Sequence, residues 1–192
     1  MSASPTISQL PFSTSRPRTE RQRHLFYAWI AVLCALAVLR IESTPFLGGN
    51  TTGRWLAHIW PHTLGQANTP FFGMVHHLLR KLGHFSGYGT LGLLFRKAWY
   101  RSVRVYMNMI GSQLAVAATM LAVSFTFLVG CLDEWHQSMI PGRTSTRTDV
   151  LIDTCGALLF NLIFWGLRAY RRKQARKETQ WPAASLVVLS IR

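Results

Sequence analysis

Long stretches without charged side chains are the feature of this sequence that most limits its fold. Four stretches contain no Asp, Glu, Lys or Arg, apart from a single Asp153 in the last of them: residues 24–39, 82–95, 105–132 and 150–167. A membrane-spanning helix needs about 20 consecutive, mostly apolar residues. The pattern therefore predicts an all-α integral membrane bundle of about four transmembrane helices.

The placement of positive charge distinguishes a membrane protein from a basic soluble one. The chain has a formal net charge of +14, yet 49% of its 192 residues are hydrophobic. A soluble nucleic-acid-binding protein carries Lys and Arg as a patch or stripe on amphipathic elements. Here the Lys and Arg residues lie at the ends of apolar stretches, as in membrane proteins. We therefore expect membrane lipids, and not nucleic acid, as partners.

The sequence divides into a membrane domain between two basic tails. Residues 1–23 are rich in Ser, Thr, Pro and Arg, which predicts a disordered tail. Residues 24–168 form the predicted transmembrane domain, and residues 169–192 form the second tail. A small-x-small pattern from Ala35 to Ala37 lies inside the first apolar stretch. That position favours an uncleaved signal anchor over a cleaved signal peptide.

Turn residues and flanking charges set the other boundaries. Residues 40–70 contain Pro, Gly and Asn and predict a long loop. The loop also holds aromatic and His side chains that suit the bilayer surface, namely Trp55, His58, Trp60 and His62. The second, third and fourth helices are predicted at residues 71–95, 105–132 and 149–167.

The distribution of Lys and Arg predicts the orientation of the bundle. Of the 21 such residues, 15 lie in residues 1–23, 96–104 and 168–192. Positively charged segments remain on the cytoplasmic side of a membrane. The protein is therefore predicted to be a multi-pass protein of the cytoplasmic (inner) cell membrane, with both termini in the cytoplasm.

The acidic residues are concentrated in one part of the chain. Four of the seven Asp and Glu residues lie within residues 133–153. Asp133 and Gln137 are four positions apart, as are Asp149 and Asp153, so each pair shares a helix face. The second helix carries a polar stripe at helical spacing, made of His77, Lys81, His84 and Tyr88. The candidate ligand-binding residues are Lys81, His84, Tyr88, Asp133, Glu134, Gln137, Arg143, Asp149 and Asp153.

Two of the predicted helices are too short to cross the membrane unless some of these charged residues lie inside it. At a rise of about 1.5 Å per residue, the charge-free residues 82–95 cover roughly 21 Å of a hydrocarbon core about 30 Å thick. To cross it, the second helix must bring Lys81 and His84 to membrane depth, and the fourth must bring Asp153. Ionisable groups at that depth normally face the bundle interior and have partners. In the predicted orientation this polar region lies on the outer side.

Three blocks of sequence carry a family resemblance. They are Lys81-Leu-Gly-His84-Phe-Ser-Gly-Tyr88, then Asp133-Glu134-Trp-His-Gln137-Ser-Met-Ile-Pro141-Gly142-Arg143-Thr-Ser145, and finally Asp149-Val-Leu with Thr154-Cys-Gly156. Together they resemble the bacterial VanZ-like family, named for a protein linked to teicoplanin resistance, over roughly residues 25–168. The family pattern usually has Asn where this chain has Asp153. The resemblance implies a helical membrane protein, and no well-established reaction comes with it.

Three interpretations of the polar residues stay open. In the first, an outward-facing pocket binds a cell-envelope lipid, a lipid-linked cell-wall precursor or an amphiphilic antibiotic, and Lys81 and Arg143 hold its phosphate or carboxylate. In the second, the protein is an intramembrane enzyme acting on a lipid head group, with Glu134 or Asp133 as general base and His84 as acid. In the third, the charges only fix how the helices pack.

The sequence shows few other features that would indicate an enzyme class, a metal site or disulfide bonds. It contains no GxSxG, HExxH or Walker motif, so no enzyme class is predicted. A divalent-metal site could be built from His84, Asp133, Glu134, His136 and Asp149. We nevertheless expect neither a metal nor a cofactor. The three Cys residues form no CxxC pair and predict no disulfide framework. No oligomeric state is predicted.

Overall fold

The protein folds as a set of α-helices. The computed structural model describes residues 18–44, 49–61, 64–67, 69–107, 109–140 and 146–189. These residues form five helices and no strand: α1 (Arg18–Glu42), α2 (Gly49–His58), α3 (Pro70–Tyr106), α4 (Gly111–Ser138) and α5 (Arg147–Leu189). The all-α prediction is confirmed.

Three of the helices are long and apolar enough to cross a membrane, and they mark the chain as a membrane protein. They are α1, α4 and α5, with spans at Glu20–Glu42, Gly111–Ser138 and Arg147–Glu178. The prediction of about four such helices is therefore confirmed for three. Helix α3 differs because it carries two pairs of adjacent basic residues, Arg80 with Lys81 and Arg96 with Lys97, along its length.

Helix α3 lies at the centre of the bundle and packs against α1, α4 and α5. Its start is set locally, because Thr69 accepts a hydrogen bond from the Phe72 backbone N–H at 3.3 Å and Pro70 occupies the first turn. Its predicted end near residue 95 is wrong. The helix continues to Tyr106 because Arg96 is buried, with its guanidinium 3.5 Å from the centroid of the Phe164 ring.

Other boundaries also differ from the predictions. The predicted loop at residues 40–70 contains the amphipathic helix α2, on which Trp55 and His58 are exposed. Helix α4 begins after a turn at Gly111, whose φ of 72° suits glycine. Helix α5 extends to Leu189 instead of ending near residue 167, because the basic residues that follow sustain helix without apolar packing. His62 and residues 1–17 lie outside the described residues.

An aromatic and aliphatic core joins α1, α3 and α4. Its buried members are Ala28, Val32, Leu39, Tyr88, Leu91, Phe95, Ala98 and Ala122. The ring of Trp29 packs edge-on against Trp99, with centroids 5.2 Å apart, and its indole N–H donates to Ser102 Oγ at 3.1 Å. Because Trp29 meets both an apolar and a polar partner on α3, this contact fixes the position of α1 on the bundle.

Small residues bring α3 and α5 into backbone contact. A Cβ atom on Gly156 would overlap the carbonyl oxygen of Phe85 and lie 3.1 Å from its carbonyl carbon. A Cβ atom on Gly92 would lie 2.8 Å from the Cβ atom of Ala157, and one on Gly89 would lie 2.8 Å from the Phe160 ring. Close approach of this kind is how small residues allow helices to pack in membranes.

This seam predicts opposite effects for the same substitution at two positions of α5. Gly156→Ala should destabilise the protein by about 1–3 kcal/mol, because backbone atoms of α3 must move. Gly166→Ala should be neutral or stabilise it by up to about 1 kcal/mol, because nothing lies within 4 Å of the added methyl group. Thermal unfolding in detergent measures both. Equal melting temperatures for the two variants would contradict the close packing.

Candidate functional site

Polar residues from three helices meet at one end of the bundle. The C-terminal end of α4 provides Asp133, Glu134 and Gln137, the N-terminal end of α5 provides Asp149 and Asp153, and α3 provides Lys81, His84 and Tyr88. We call Asp133, Glu134, Asp149 and Asp153 the carboxylate cluster. The antiparallel order of α3, α4 and α5 brings these segments together because each connection reverses the chain.

Asp133 is the best satisfied member of the carboxylate cluster. One oxygen accepts a hydrogen bond from Ser43 Oγ at the end of α1. The other accepts from the Tyr88 hydroxyl at 3.1 Å and from Gln137 Nε2 at 2.7 Å. The three donors are buried, with 1–3% of each side chain exposed. A single carboxylate therefore ties α1 and α3 to α4.

Glu134 and Asp149 hold the start of α5. Glu134 is only 5% exposed and accepts a hydrogen bond at 3.0 Å from the backbone N–H of Thr146, just before the helix begins. Asp149 forms an ion pair with Lys81 of α3. Since Asp149 also lies in the first turn of α5, it interacts favourably with the positive end of the helix dipole.

Asp153 has a different environment from the other three carboxylates. Its side chain is 1% exposed, and neither carboxylate oxygen accepts a hydrogen bond from the part of the chain that the structure describes. His84 Nδ1 lies 3.9 Å from Oδ1, and the His84 ring stacks on Tyr88 with centroids 6.2 Å apart. A buried carboxylate without hydrogen bonds is costly, and the His84 ring lies where it can stabilise this carboxylate whenever the ring is protonated.

Two cavities flank these polar groups. The first, which we call the α2 cavity, has a volume of about 430 Å³ and lies between α2, α3 and the end of α1. Its polar lining includes Glu42, His76, Arg80 and His84, and its apolar lining includes Trp55, Leu56, Ile59 and Leu79. The second is a groove of about 580 Å³ between α1 and α4, with Tyr88, Asp133 and His136 in its lining. His84 lines the α2 cavity and also lies next to Asp153, so it connects the carboxylate cluster to that cavity.

Two other polar residues that the sequence singled out have different outcomes. His77, although part of the predicted stripe, is exposed. Arg143, with the rest of the Pro141 to Ser145 block, lies outside the described residues. Among the described residues, no group of three or more His, Cys, Asp or Glu side chains could hold a metal ion.

Sequence reasoning did not identify four residues that the structure places at the site: Glu42, Ser43, Arg80 and Thr146. Arg80 precedes Lys81 on the helix, and the rotation of about 100° per residue turns it towards α2. The signal for Glu42 was available, because it is an acidic residue at the end of an apolar stretch. Ser43 and Thr146 carry no such signal, since hydroxyl-bearing residues are common at helix ends.

The comparison with known proteins concerns the same segment of chain. The sequence model of the VanZ/LLP1 family matches residues 26–168, which include every residue of the carboxylate cluster. The chain belongs to the VanZ/LLP1 family. Comparison with curated proteins and with solved structures returns no significant match. The family resemblance predicted from the three sequence blocks is thus confirmed.

The hydrogen bonds of Asp133 predict unequal costs for removing the acceptor and one donor. Asp133→Ala should destabilise this VanZ/LLP1-family protein by roughly 3 kcal/mol or more, because three buried donors lose their acceptor. Tyr88→Phe should cost about 1 kcal/mol, because the carboxylate keeps two donors. The double variant should cost less than the two single variants together. Thermal unfolding of the four proteins in detergent measures these differences, and strict additivity would contradict the shared hydrogen bond.

Proposed function

We propose that this VanZ/LLP1-family protein binds a lipid-linked cell-envelope molecule in the α2 cavity. The observation that carries the proposal is the lining of that cavity, in which charged side chains and an apolar wall occur together. A pocket of this composition suits an amphiphile, with its head group near His84 and the start of its chain along the wall. A volume of about 430 Å³ suits a head group and the first part of a chain, not a whole lipid.

The charges of the α2 cavity indicate the chemistry of the head group. Arg80 can hold a phosphate or carboxylate, and Glu42 can accept hydrogen bonds from hydroxyl or ammonium groups. Lys81, the cation that the sequence suggested for this role, contacts Asp149 instead. A phosphorylated sugar or amino sugar satisfies both Arg80 and Glu42, and it is the kind of head group that a cell-wall precursor carries.

The amphipathic helix α2 supports entry from the lipid layer. It forms one wall of the cavity and is tied to α3 by a hydrogen bond of 3.0 Å between Thr52 Oγ1 and His76 Nε2. Amphipathic helices of this kind lie in the membrane interface. In the orientation that the Lys and Arg distribution predicts, this end of the bundle faces outward. The proposed ligand is therefore a molecule of the outer leaflet.

Copurification tests the proposal. The full chain is expressed in bacteria and purified in detergent, and the lipids it retains are identified by mass spectrometry. The wild-type protein should retain a lipid-linked precursor, and His84→Ala and Arg80→Gln should each reduce that amount about tenfold. The matched controls on α3 are His77→Ala and Arg104→Gln, whose side chains are exposed. They should retain the wild-type amount.

Two results would contradict the proposal. One is a wild-type protein that retains no precursor and leaves teicoplanin and envelope-stress sensitivity of the host unchanged. The other is equal loss of ligand in the site variants and their controls. Selective retention of a teicoplanin-like amphiphile in place of a precursor would assign the same cavity to an antibiotic.

The contact between His84 and Asp153 favours a second candidate, an intramembrane hydrolase that acts on a lipid head group. His84 would remove a proton from a water molecule as its oxygen attacks the head-group ester, and the leaving alcohol would take that proton as the ester bond breaks. Asp153, 3.9 Å away, would orient the ring and stabilise its positive charge. This arrangement differs from the base first suggested by the sequence, since Glu134 is occupied by the Thr146 backbone.

Asp153→Asn distinguishes catalysis from binding. The neutral amide has almost the same shape and is less costly to bury without hydrogen bonds, so the melting temperature should not fall. A hydrolase should lose at least about 100-fold in rate, as expected when a general base loses its partner. Head-group release from vesicles of envelope lipids, followed by mass spectrometry, measures the rate. No release by the wild-type protein would exclude this candidate.

A further inference from the structure

The opposite end of the bundle contains a second set of cavities, lined by basic residues. There α3, α4 and α5 enclose a volume of about 190 Å³. An adjoining groove of about 440 Å³ shares four lining residues with it, namely Arg96, Tyr100, Phe164 and Arg168. We call the smaller volume the basic pocket. It is separate from the carboxylate cluster and has no part in the function proposed above.

Arg96 is the buried polar group of the basic pocket. It is 9% exposed, its guanidinium lies over the Phe164 ring, and its Nε atom makes no hydrogen bond within the described residues. A guanidinium has five N–H donors and no acceptor, and leaving even one of them, here Nε–H, buried without an acceptor is costly. The position therefore favours a ligand that supplies acceptor oxygens.

Two further guanidinium groups line the same pocket. Arg168 and Arg172 are four residues apart on α5, so they share a helix face. Within the described parts of the chain, neither forms an ion pair with a carboxylate. With Arg96 they place three positive charges around one small volume. Their mutual repulsion is relieved when an anion binds between them.

The N-terminus of α4 contributes backbone donors. Gly111 and Ser112 line the pocket, and the residue that precedes the helix, Ile110, provides no side-chain hydrogen bond to cap it. The first N–H groups of a helix have no partner within the helix and attract anions. Guanidinium groups from two helices and amide groups from a third thus converge, as in phosphate sites.

We propose that the basic pocket binds the phosphate group of an anionic membrane lipid. The adjoining groove extends from Arg96 past Leu93, Leu94 and Phe164, which form an apolar surface for the start of an acyl chain. Tyr100 and Trp165 line the pocket with the amphipathic rings that are typical of the membrane interface. Basic pockets between transmembrane helices take lipid head groups of this class. This apolar surface on one side of the groove favours a lipid over free phosphate.

Lipid binding by the full chain in detergent tests the proposal. Native mass spectrometry compares retention of short-chain phosphatidylglycerol with that of short-chain phosphatidylcholine. The wild-type protein should prefer phosphatidylglycerol about tenfold or more, and Arg168→Ala/Arg172→Ala should abolish that preference. The matched control, Arg171→Ala/Lys173→Ala, removes the same charge from positions of the same helix that line neither the pocket nor the groove. It should keep the preference within about twofold.

Three outcomes would overturn the proposal. Equal loss in the two double variants would indicate general attraction by positive charge. Competition by inorganic phosphate at the same concentration as the lipid would indicate a free-anion site. Unchanged binding in Arg168→Ala/Arg172→Ala would place the lipid elsewhere.

Ser112→Asp provides a test that loss of folding cannot explain. A carboxylate in the first turn of α4 stabilises the helix, so the melting temperature should be equal to or higher than that of the wild-type protein. The same carboxylate would occupy the basic pocket, and phosphatidylglycerol retention should fall about tenfold. Retention at the wild-type level in this variant would also overturn the proposal.

Discussion

The carboxylate of Asp133 is the interaction on which the rest of this end of the bundle depends. It accepts hydrogen bonds from Ser43 directly after α1, from the middle of α3 and from α4 itself. In a membrane bundle, apolar packing between helices gains little over packing against lipid, so polar contacts and close fit have a larger share in holding helices together. Asp133 thereby fixes Tyr88, on whose ring His84 is stacked.

Of the other three carboxylates, two hold helices in place and one is available for chemistry. Glu134 and Asp149 are used by the Thr146 backbone and by Lys81, and both contacts set where α5 begins. Asp153 lies one turn further along α5, is buried, and has His84 as its ion-pair partner. Since the other carboxylates are engaged by these contacts, His84 and Asp153 are the pair of this cluster best placed for chemistry.

Sequence patterns predicted the parts of the fold that depend on local spacing. The hydrogen bond between Asp133 and Gln137 follows from their separation by four positions, and the three apolar spans follow from the absence of charge. Contacts that depend on tertiary packing were not predictable. In the sequence, the charge of Arg96 predicted the end of a helix. In the structure its guanidinium packs on Phe164, and α3 continues past it. Ser43 donates a hydrogen bond to Asp133 only because α1 ends beside α4.

The glycine seam between α3 and α5 also determines which parts of the bundle can move. With the Phe85 carbonyl against Gly156 and the Gly92 backbone against Ala157, these two helices have no room to slide or rotate past each other. They behave as one rigid unit that carries Lys81, His84 and Asp153. The α3 wall of the α2 cavity is therefore held by α5, whereas the α2 wall is attached to α3 through the hydrogen bond between Thr52 and His76. The two walls of the cavity thus differ in how closely they are packed against the rest of the bundle.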